Sequence, residues 1–117
     1  MRLSLLLLIL TLVAAAEEAP VIRRATQLAA RDGQMVRVQG LYESYFLVRG
    51  EDLVRLRLED GRTVLQLGPR PKGERELLNN RTVQATGLLD THGPPPPTGE
   101  PLPQILLKEI TEVKPYP

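Results

Sequence analysis

Two segments of the chain carry nearly the same phrase, in which apolar and polar residues alternate and a glycine interrupts the alternation. They are VRVQGLY at residues 36–42 and VQATGLL at residues 83–89. A period of two is typical of a strand with one buried face, and a glycine inside a strand marks a bulge or a sharp bend. Small closed barrels need such corners. The pair therefore predicts two strands of one curled sheet, with Gly40 and Gly87 as its corners.

The first residues have the pattern of a secretory signal peptide. Arg2 precedes a short apolar run, and the run ends in three alanines at residues 14–16, ahead of Glu17. This pattern predicts export with cleavage after Ala16, because the run is shorter than the roughly 20 apolar residues of a spanning helix. The alternative is an uncleaved anchor, which would hold the same domain on the same side of the membrane. We expect a periplasmic or secreted protein.

Composition limits the chemistry that is open to the mature chain. Removal of residues 1–16 leaves 101 of the 117 residues, and the 15 Lys and Arg of the whole chain fall to 14, which equals the number of Asp and Glu. A neutral domain lacks the basic footprint of nucleic-acid-binding proteins, so we expect no nucleic-acid partner. The absence of cysteine excludes disulfides and thiolate metal sites.

Residues 17–113 are predicted to form one domain made mainly of strands. The predicted elements are a helix over 21–32, a strand over 35–42, a hairpin of strands over 54–58 and 62–67, a helical turn over 72–79, and strands over 82–89 and 104–113. The dipeptide Asp60-Gly61 predicts a two-residue hairpin turn, which assigns Gly61 a structural role. That turn sets Leu56 opposite Leu65 and Val54 opposite Leu67.

A proline-rich loop separates the last two predicted strands. It covers residues 93–103 and contains a run of four prolines. Such a segment serves as a rigid spacer or as a recognition element for an aromatic groove. Residues 114–117 are predicted to form a flexible tail.

Five strands with a helix between the third and the fourth resemble the OB-fold, a small Greek-key barrel. The chain also resembles the exported single-domain OB-fold proteins of bacteria, through GQMVRVQG at 33–40, LEDGR at 58–62 and RTVQATG at 81–87. The resemblance implies a mainly β fold, a small five-stranded OB-like barrel with a short N-terminal helix and a short helix between strands three and four. It also implies a ligand surface on the outer face of strands two and three.

Candidate ligand-binding residues lie on and beside that outer face. They are Arg37, Arg55, Arg57, Tyr42 and Tyr45. Arginine offers forked donors to phosphate or carboxylate, and tyrosines in the predicted first loop can stack on bases or sugar rings. The alternative is an ordinary solvent face on which the arginines pair with Glu43 or Glu59, while the aromatic rings close the end of the barrel.

Catalytic and metal-binding residue sets are not predicted. A metal site needs several converging ligands, and His92 is the only histidine. Ser44 is the only serine that remains after cleavage, and no base is placed near it by spacing. We therefore expect no metal, no cofactor and no enzymatic activity.

The sequence favours an exported, non-catalytic binding or interaction module whose partner is an unknown ligand or an envelope protein. An oligosaccharide, a nucleotide and a protein are all open as ligands. The alternative is an envelope-assembly or protein-interaction subunit that uses a sheet edge or the proline-rich loop. Valine at Gly40 or Gly87 should destabilise the fold in either case.

Overall fold

The computed structural model describes residues 19–47, 50–96 and 102–117. The predicted signal peptide and residues 97–101 of the proline-rich loop lie outside the described residues. The protein is mainly β, as predicted. Its elements are β1 (Val21–Ile22), β2 (Met35–Phe46), β3 (Asp52–Arg57), β4 (Val64–Gly68), α1 (Lys72–Leu78), β5 (Thr82–Asp90) and β6 (Leu106–Pro115). Two 3₁₀ turns, Ala25–Gln27 and Ala29–Arg31, separate β1 from β2.

The strands form one six-stranded mixed sheet in the order β1-β2-β3-β4-β6-β5. The longest strand, β2, has two antiparallel partners, because Met35 to Leu41 pairs with β5 and Leu41 to Phe46 pairs with β3. β4 and β6 are parallel and meet at Gln66 and Leu106. Because β2 also pairs with β5, the pairings run in a cycle from β2 through β3, β4, β6 and β5 back to β2.

The core lies on one face of this sheet and follows the apolar alternation of the strands. The fully buried apolar side chains include Val36, Val38, Tyr42, Val54, Leu56, Leu65, Val83, Ala85 and Leu89. Burial of a side chain of the size of valine or leucine contributes roughly 1.5–3 kcal/mol. Leu78 of α1 packs against the same cluster, and the helix also contacts Tyr42 of β2 and Asp52 of β3. In the described part of the chain, no helix has the length and apolar content needed to cross a membrane.

The prediction of one N-terminal helix over residues 21–32 is wrong. The segment begins as β1, which runs parallel to β2, and continues as the two 3₁₀ turns. The Gln27 side chain accepts hydrogen bonds from the N–H groups of Arg23 and Arg24 (both 2.9 Å), which holds the chain in a turn. The helical spacing of apolar residues in this segment depends largely on alanines. It does not include Ile22, whose side chain is in the core and only 1% exposed.

The centre of the β3–β4 hairpin has the predicted register, since Leu56 pairs with Leu65. The predicted pairing of Val54 with Leu67 is wrong. A β-bulge shifts the register there and pairs Val54 with Gly68. Alternation alone does not reveal a bulge, because the inserted residue changes the pairing without changing which residues are apolar.

The turn of this hairpin is longer than predicted. The Leu58 N–H donates to the Thr63 carbonyl (2.9 Å), and the Gly61 N–H donates to the Leu58 carbonyl (3.0 Å). Gly61 has a φ of 69°, a conformation that glycine adopts readily. Hydrogen bonds from the hydroxyl and N–H of Thr63 and from the N–H of Arg62 lower the pKa of Asp60 to about 2. The Asp60 side chain therefore organises the turn.

Gly40 and Gly87 lie where the backbone of another strand approaches closely. A Cβ at Gly40 would be 2.8 Å from the carbonyl oxygen of Arg57, and one at Gly87 would be 2.6 Å from that of Lys108. Opposite Gly87, β6 is irregular and contains Glu109 with a φ of 47°. Close backbone approach is the physical reason that both repeated phrases contain glycine.

β6 starts and ends later than the sequence predicts. It reaches Pro115, and the Tyr116 N–H then donates to the Thr82 carbonyl (2.9 Å). The segment 114–117, predicted to be a flexible tail, thus contains the end of β6 and stays attached to β5. Lysine and proline are depleted in strands, so the composition of these residues concealed the pairing.

Candidate functional site

The structure brings Arg55 and Arg57 together on the outer face of the sheet, which is the face opposite the core. Glu43 lies across from Arg55, and its Oε1 accepts hydrogen bonds from the Nε of Arg55 (3.1 Å) and the Nε of Arg57 (3.0 Å). Burial alone would raise the pKa of Glu43, but these hydrogen bonds outweigh it and lower that pKa. One carboxylate thus compensates two guanidinium groups. The other candidate partner, Glu59, pairs with Arg24 (3.0 Å).

Tyr45 extends this arrangement by one stacked ring. The guanidinium carbon of Arg55 lies 4.8 Å from the centroid of the Tyr45 ring, and the Tyr45 hydroxyl donates to Oε1 of Gln66. Gln66 therefore holds the Tyr45 ring and Glu43 holds the Arg55 guanidinium. The stacked pair presents a flat surface. We call this set the arginine platform, and its members are Glu43, Tyr45, Arg55, Arg57 and Gln66.

Tyr42 and Arg37 do not join the arginine platform. Tyr42 lies inside β2 rather than in a loop, with 0% of its surface exposed, and its hydroxyl donates to Glu74 (3.0 Å). Burial and this hydrogen bond raise its pKa. Its ring offers no surface to a ligand. The Nε of Arg37 donates to the Ala19 carbonyl (2.7 Å), so this guanidinium fastens the segment before β1.

The remaining contacts of α1 are polar and attach the helix to the sheet. Arg70 donates twice to the Glu74 carboxylate (both 2.8 Å), and Arg75 pairs with Asp52 of β3 (3.2 Å). The hydrogen bond from Arg70 lowers the pKa of Glu74 against the effect of its burial. Glu74 accepts a hydrogen bond from Tyr42 as well, so these groups stabilise the position of the helix on the sheet.

A cleft of about 320 Å³ lies beside the arginine platform. Its lining includes Arg23, Gln39, Gly40, Arg57, Thr82 and Tyr116. Arg57 belongs to both features, so the cleft and the arginine platform form one continuous surface.

A hydrogen-bonded row of polar side chains starts at this cleft, which is lined by Arg23, Gln39 and Tyr116 of the row but not by Gln84. The Nε of Arg23 donates to Oε1 of Gln39 (2.5 Å), and Nε2 of Gln39 donates to Oε1 of Gln84 (2.9 Å). The two glutamines pair directly between β2 and β5 and are only 8% and 7% exposed. Arg23 also donates to the hydroxyl of Tyr116 (3.1 Å). We call Arg23, Gln39, Gln84 and Tyr116 the glutamine row.

The sequence pattern does not reveal the glutamine row, because two of its members lie in segments that are predicted to form other structures. Arg23 lies in the predicted helix over 21–32, and Tyr116 lies in the predicted flexible tail over 114–117. One signal was present in the sequence: each repeated phrase contains a glutamine at a position that alternation directs away from the core. Antiparallel pairing of the two phrases sets Gln39 opposite Gln84.

His92 lies near two carboxylates, although spacing predicted no metal site around it. Atoms of Asp32, Asp90 and His92 that can bind a metal lie within 4.8 Å of one another. Both carboxylates are already engaged, because Asp90 pairs with Lys108 (2.6 Å) and Asp32 accepts the Thr91 N–H (2.8 Å). These contacts lower the pKa of both aspartates. The cluster joins the loop before β2 to the loop after β5.

Comparisons with protein-family models, with curated proteins and with solved structures gave no significant match. No function can therefore be transferred from a similar protein to the arginine platform or to the glutamine row. Their chemistry must be inferred from their own geometry.

Proposed function

We propose that the chain is an exported, non-catalytic binding module with an OB-like barrel. The cycle of pairings from β2 through β3, β4, β6 and β5 supports a five-stranded Greek-key barrel, and α1 lies where such a barrel has its helix. The signal-peptide pattern of residues 1–16 supports export. The proposal includes no nucleophilic catalysis, which would need a base next to Ser44. The imidazole of His92 contacts Asp32 and Thr91 instead, and within the described residues it does not contact Ser44.

The stack of Arg55 on Tyr45 carries this proposal. Arg55 lies on the outer face of β3, Tyr45 lies beside it on β2, and Gln66 lies on β4. In the proposed barrel β3 and β4 are the second and third strands, whose outer face binds oligosaccharides and oligonucleotides in OB-folds. The hydrogen bonds to Glu43 and Gln66 hold both side chains before any ligand arrives, which lowers the entropy cost of binding. A flat ring next to a guanidinium fits a sugar ring or a base that carries hydrogen-bond acceptors.

Strand addition at a free edge has less support from the geometry. Beyond Leu106, the edge of β6 that faces away from β5 pairs with no described strand. That edge carries Lys108, Glu109 and Lys114, and it is interrupted at Glu109. Charged side chains and bulges block the pairing of an edge with another chain. We therefore favour the outer face as the binding surface.

The experiment is a calorimetric titration of the exported protein with a panel of oligosaccharides and nucleotides. Removing Arg55 and Arg57 together would leave the half-buried Glu43 without a partner, and this would lower stability as well as binding. A variant with unchanged net charge is therefore better. Arg55→Gln with Glu43→Gln removes one cation and one anion. We expect it to weaken ligand binding about tenfold or more with a small change in Tm.

The matched control is Arg62→Gln, which removes an exposed guanidinium from the hairpin turn outside the arginine platform. It should leave binding unchanged. Equal affinities for the wild type and the Arg55→Gln, Glu43→Gln variant would remove the arginine platform as the binding site.

A further inference from the structure

We infer that the glutamine row is an oxyanion site that anchors the carboxylate or phosphate group of a ligand, another part of which lies in the cleft. The inference rests on the proposed binding function and assigns its ligand a chemical group. It concerns residues that lie outside the arginine platform.

The orientation of both glutamine amides follows from Arg23. A guanidinium only donates hydrogen bonds, so the atom of Gln39 that faces it is Oε1. The Nε2 of Gln39 then turns to Gln84, which must present its own Oε1. The amide nitrogen of Gln84 is therefore the end of the row.

The row uses its acceptors internally and ends in a donor. The carbonyl oxygens of Gln39 and Gln84 and the hydroxyl oxygen of Tyr116 each accept a hydrogen bond from within the row. The Nε2 of Gln84 has no acceptor among the described residues. No side-chain nitrogen or oxygen in that part of the chain is both fully buried and unpaired, so this Nε2 reaches solvent. A donor on a side chain with only 7% of its surface exposed gains from an acceptor supplied by a ligand.

The charge of Arg23 is not compensated within the described structure. Its guanidinium contacts the neutral groups of Gln39 and Tyr116 and forms no ion pair with a described residue. The arginine platform differs, because Glu43 lies between its two arginines. Glu59 also lines the cleft but pairs with Arg24, so an anion at the row would meet an uncompensated cation in Arg23.

A second cation lies across from the end of the row. Lys114 pairs with Gln84 between β5 and β6, and directly paired residues place their Cβ atoms roughly 5 Å apart on the same face. Lys114 contacts Glu112 (3.3 Å), and both side chains are more than half exposed, so this ion pair is weak. The surroundings of the Gln84 amide nitrogen thus favour a negatively charged acceptor.

The size of the cleft limits the ligand. A volume of about 320 Å³ is at the small end of ligand sites, which span roughly 300–1,000 Å³. It fits one ring-sized unit next to Arg23, and the oxyanion of an acidic sugar residue or a sugar phosphate would project from this unit towards Gln84, which does not line the cleft. Because Arg57 lines the cleft and belongs to the arginine platform, the rest of a longer ligand would extend over Arg55 and Tyr45.

The test measures binding of three probes to the exported protein by NMR and calorimetry. The probes are a trisaccharide of uronic acids, its neutral counterpart and inorganic phosphate. We expect the acidic trisaccharide to bind and to shift the side-chain NH₂ resonances of Gln84, and the neutral trisaccharide to bind more weakly. Binding of phosphate as well would show that the oxyanion alone suffices, whereas binding of the trisaccharide alone would show that the sugar ring is needed.

Two variants test the assignment. Gln84→Glu replaces the terminal donor with a negative charge, and Arg23→Gln removes the cation; each should weaken binding of the acidic trisaccharide about ten- to hundredfold. The control Gln34→Met, on an exposed glutamine before β2, should bind normally. Thermal melting of each variant checks that the fold is retained.

The outcomes separate this inference from the proposed function. Unchanged affinity in Gln84→Glu and Arg23→Gln, with loss of binding in the Arg55→Gln, Glu43→Gln variant, would overturn the oxyanion site and leave the binding module in place. Absence of any shift at Gln84 with both acidic probes would also overturn the oxyanion site. Unchanged affinity in all three variants would reject both the row and the arginine platform.

Discussion

The arginine platform and the glutamine row lie on the same face of the sheet, and both use β2, but they differ in how their charge is treated. In the arginine platform, Glu43 accepts hydrogen bonds from Arg55 and Arg57, so acceptors and cations are matched. In the glutamine row, the partners of Arg23 among the described residues are neutral, and the row ends in an amide nitrogen. This excess of donors over acceptors, rather than the number of arginines, is the reason that we assign the anion to the glutamine row.

The largest effect is expected at Gly40, which separates the two regions along β2. In Gly40→Ala the new Cβ would meet the Arg57 carbonyl oxygen at 2.8 Å, and this backbone atom cannot move away as a side chain can. We expect a loss of about 2–3 kcal/mol in chemical denaturation, and a further loss in Gly40→Val. The control Gly73→Ala has open space around the new Cβ and should be neutral or stabilising by about 0.5 kcal/mol. Equal stability of Gly40→Ala and wild type would contradict the close approach of β2 and β3.

The next effect is expected at Glu43, and it should depend on pH. Glu43→Ala leaves two half-buried guanidinium groups facing each other and should cost about 1–3 kcal/mol at neutral pH. The folded pKa of Glu43 is below its ordinary value of 4.5, so its contribution is complete above that value and is lost as the pH falls through the folded pKa. The stability difference between wild type and Glu43→Ala, measured by urea titration, should therefore shrink below about pH 4. A difference that stays constant down to pH 2 would show that Glu43 does not pair with the arginines.

A smaller effect without pH dependence is expected in the glutamine row. Gln84→Met keeps the length of the side chain but removes the acceptor of Gln39, which should cost about 1 kcal/mol. None of the four side chains of the row is a carboxylate, so this cost should be the same at pH 4 and pH 7. A cost that changes with pH would mean that a titrating group contacts the row.

The smallest effect is expected for the hydroxyl of Tyr45. Tyr45→Phe keeps the ring under Arg55 and loses only the hydrogen bond to Gln66, so we expect a cost of about 0.5 kcal/mol. Tyr45→Ala, which also removes the stacked ring, should cost more. If the two variants were equally stable, the stack would contribute nothing to the arginine platform.

Local patterns in the sequence were sufficient for the parts of the fold that depend on neighbouring residues. Alternation predicted that β3 and β4 turn their apolar residues to one face, and the Leu56–Leu65 pairing is confirmed. The same alternation continues through Tyr42 and Tyr45, but the end of β2 was placed too early. Tyr42, the last residue of the predicted strand over 35–42, was therefore grouped with Tyr45 as a ligand-binding residue of the first loop, although its place in the alternation points to the core.

The candidate site was predicted only in part because it depends on contacts between distant segments. Arg55 and Arg57 could be placed on the outer face from their spacing alone. The role of Arg23 depends on β1, where the weak signal from small apolar residues favoured a helix. Tyr116 joins the row through pairing with Thr82, which composition does not indicate. No local pattern connects these segments.

The sequence separations within the glutamine row also determine when it forms during folding. Its three hydrogen bonds join residues that are 16, 45 and 93 positions apart. Contacts of such long range require the first and last strands to be in place, so the row is complete only in the fully folded chain. A ligand bound there would hold both ends of the domain against fraying and would lower the rate of unfolding. Ligand binding should therefore protect β1 and β6 from proteolysis more than the rest of the chain, because local opening of the free protein is expected to begin at these two ends.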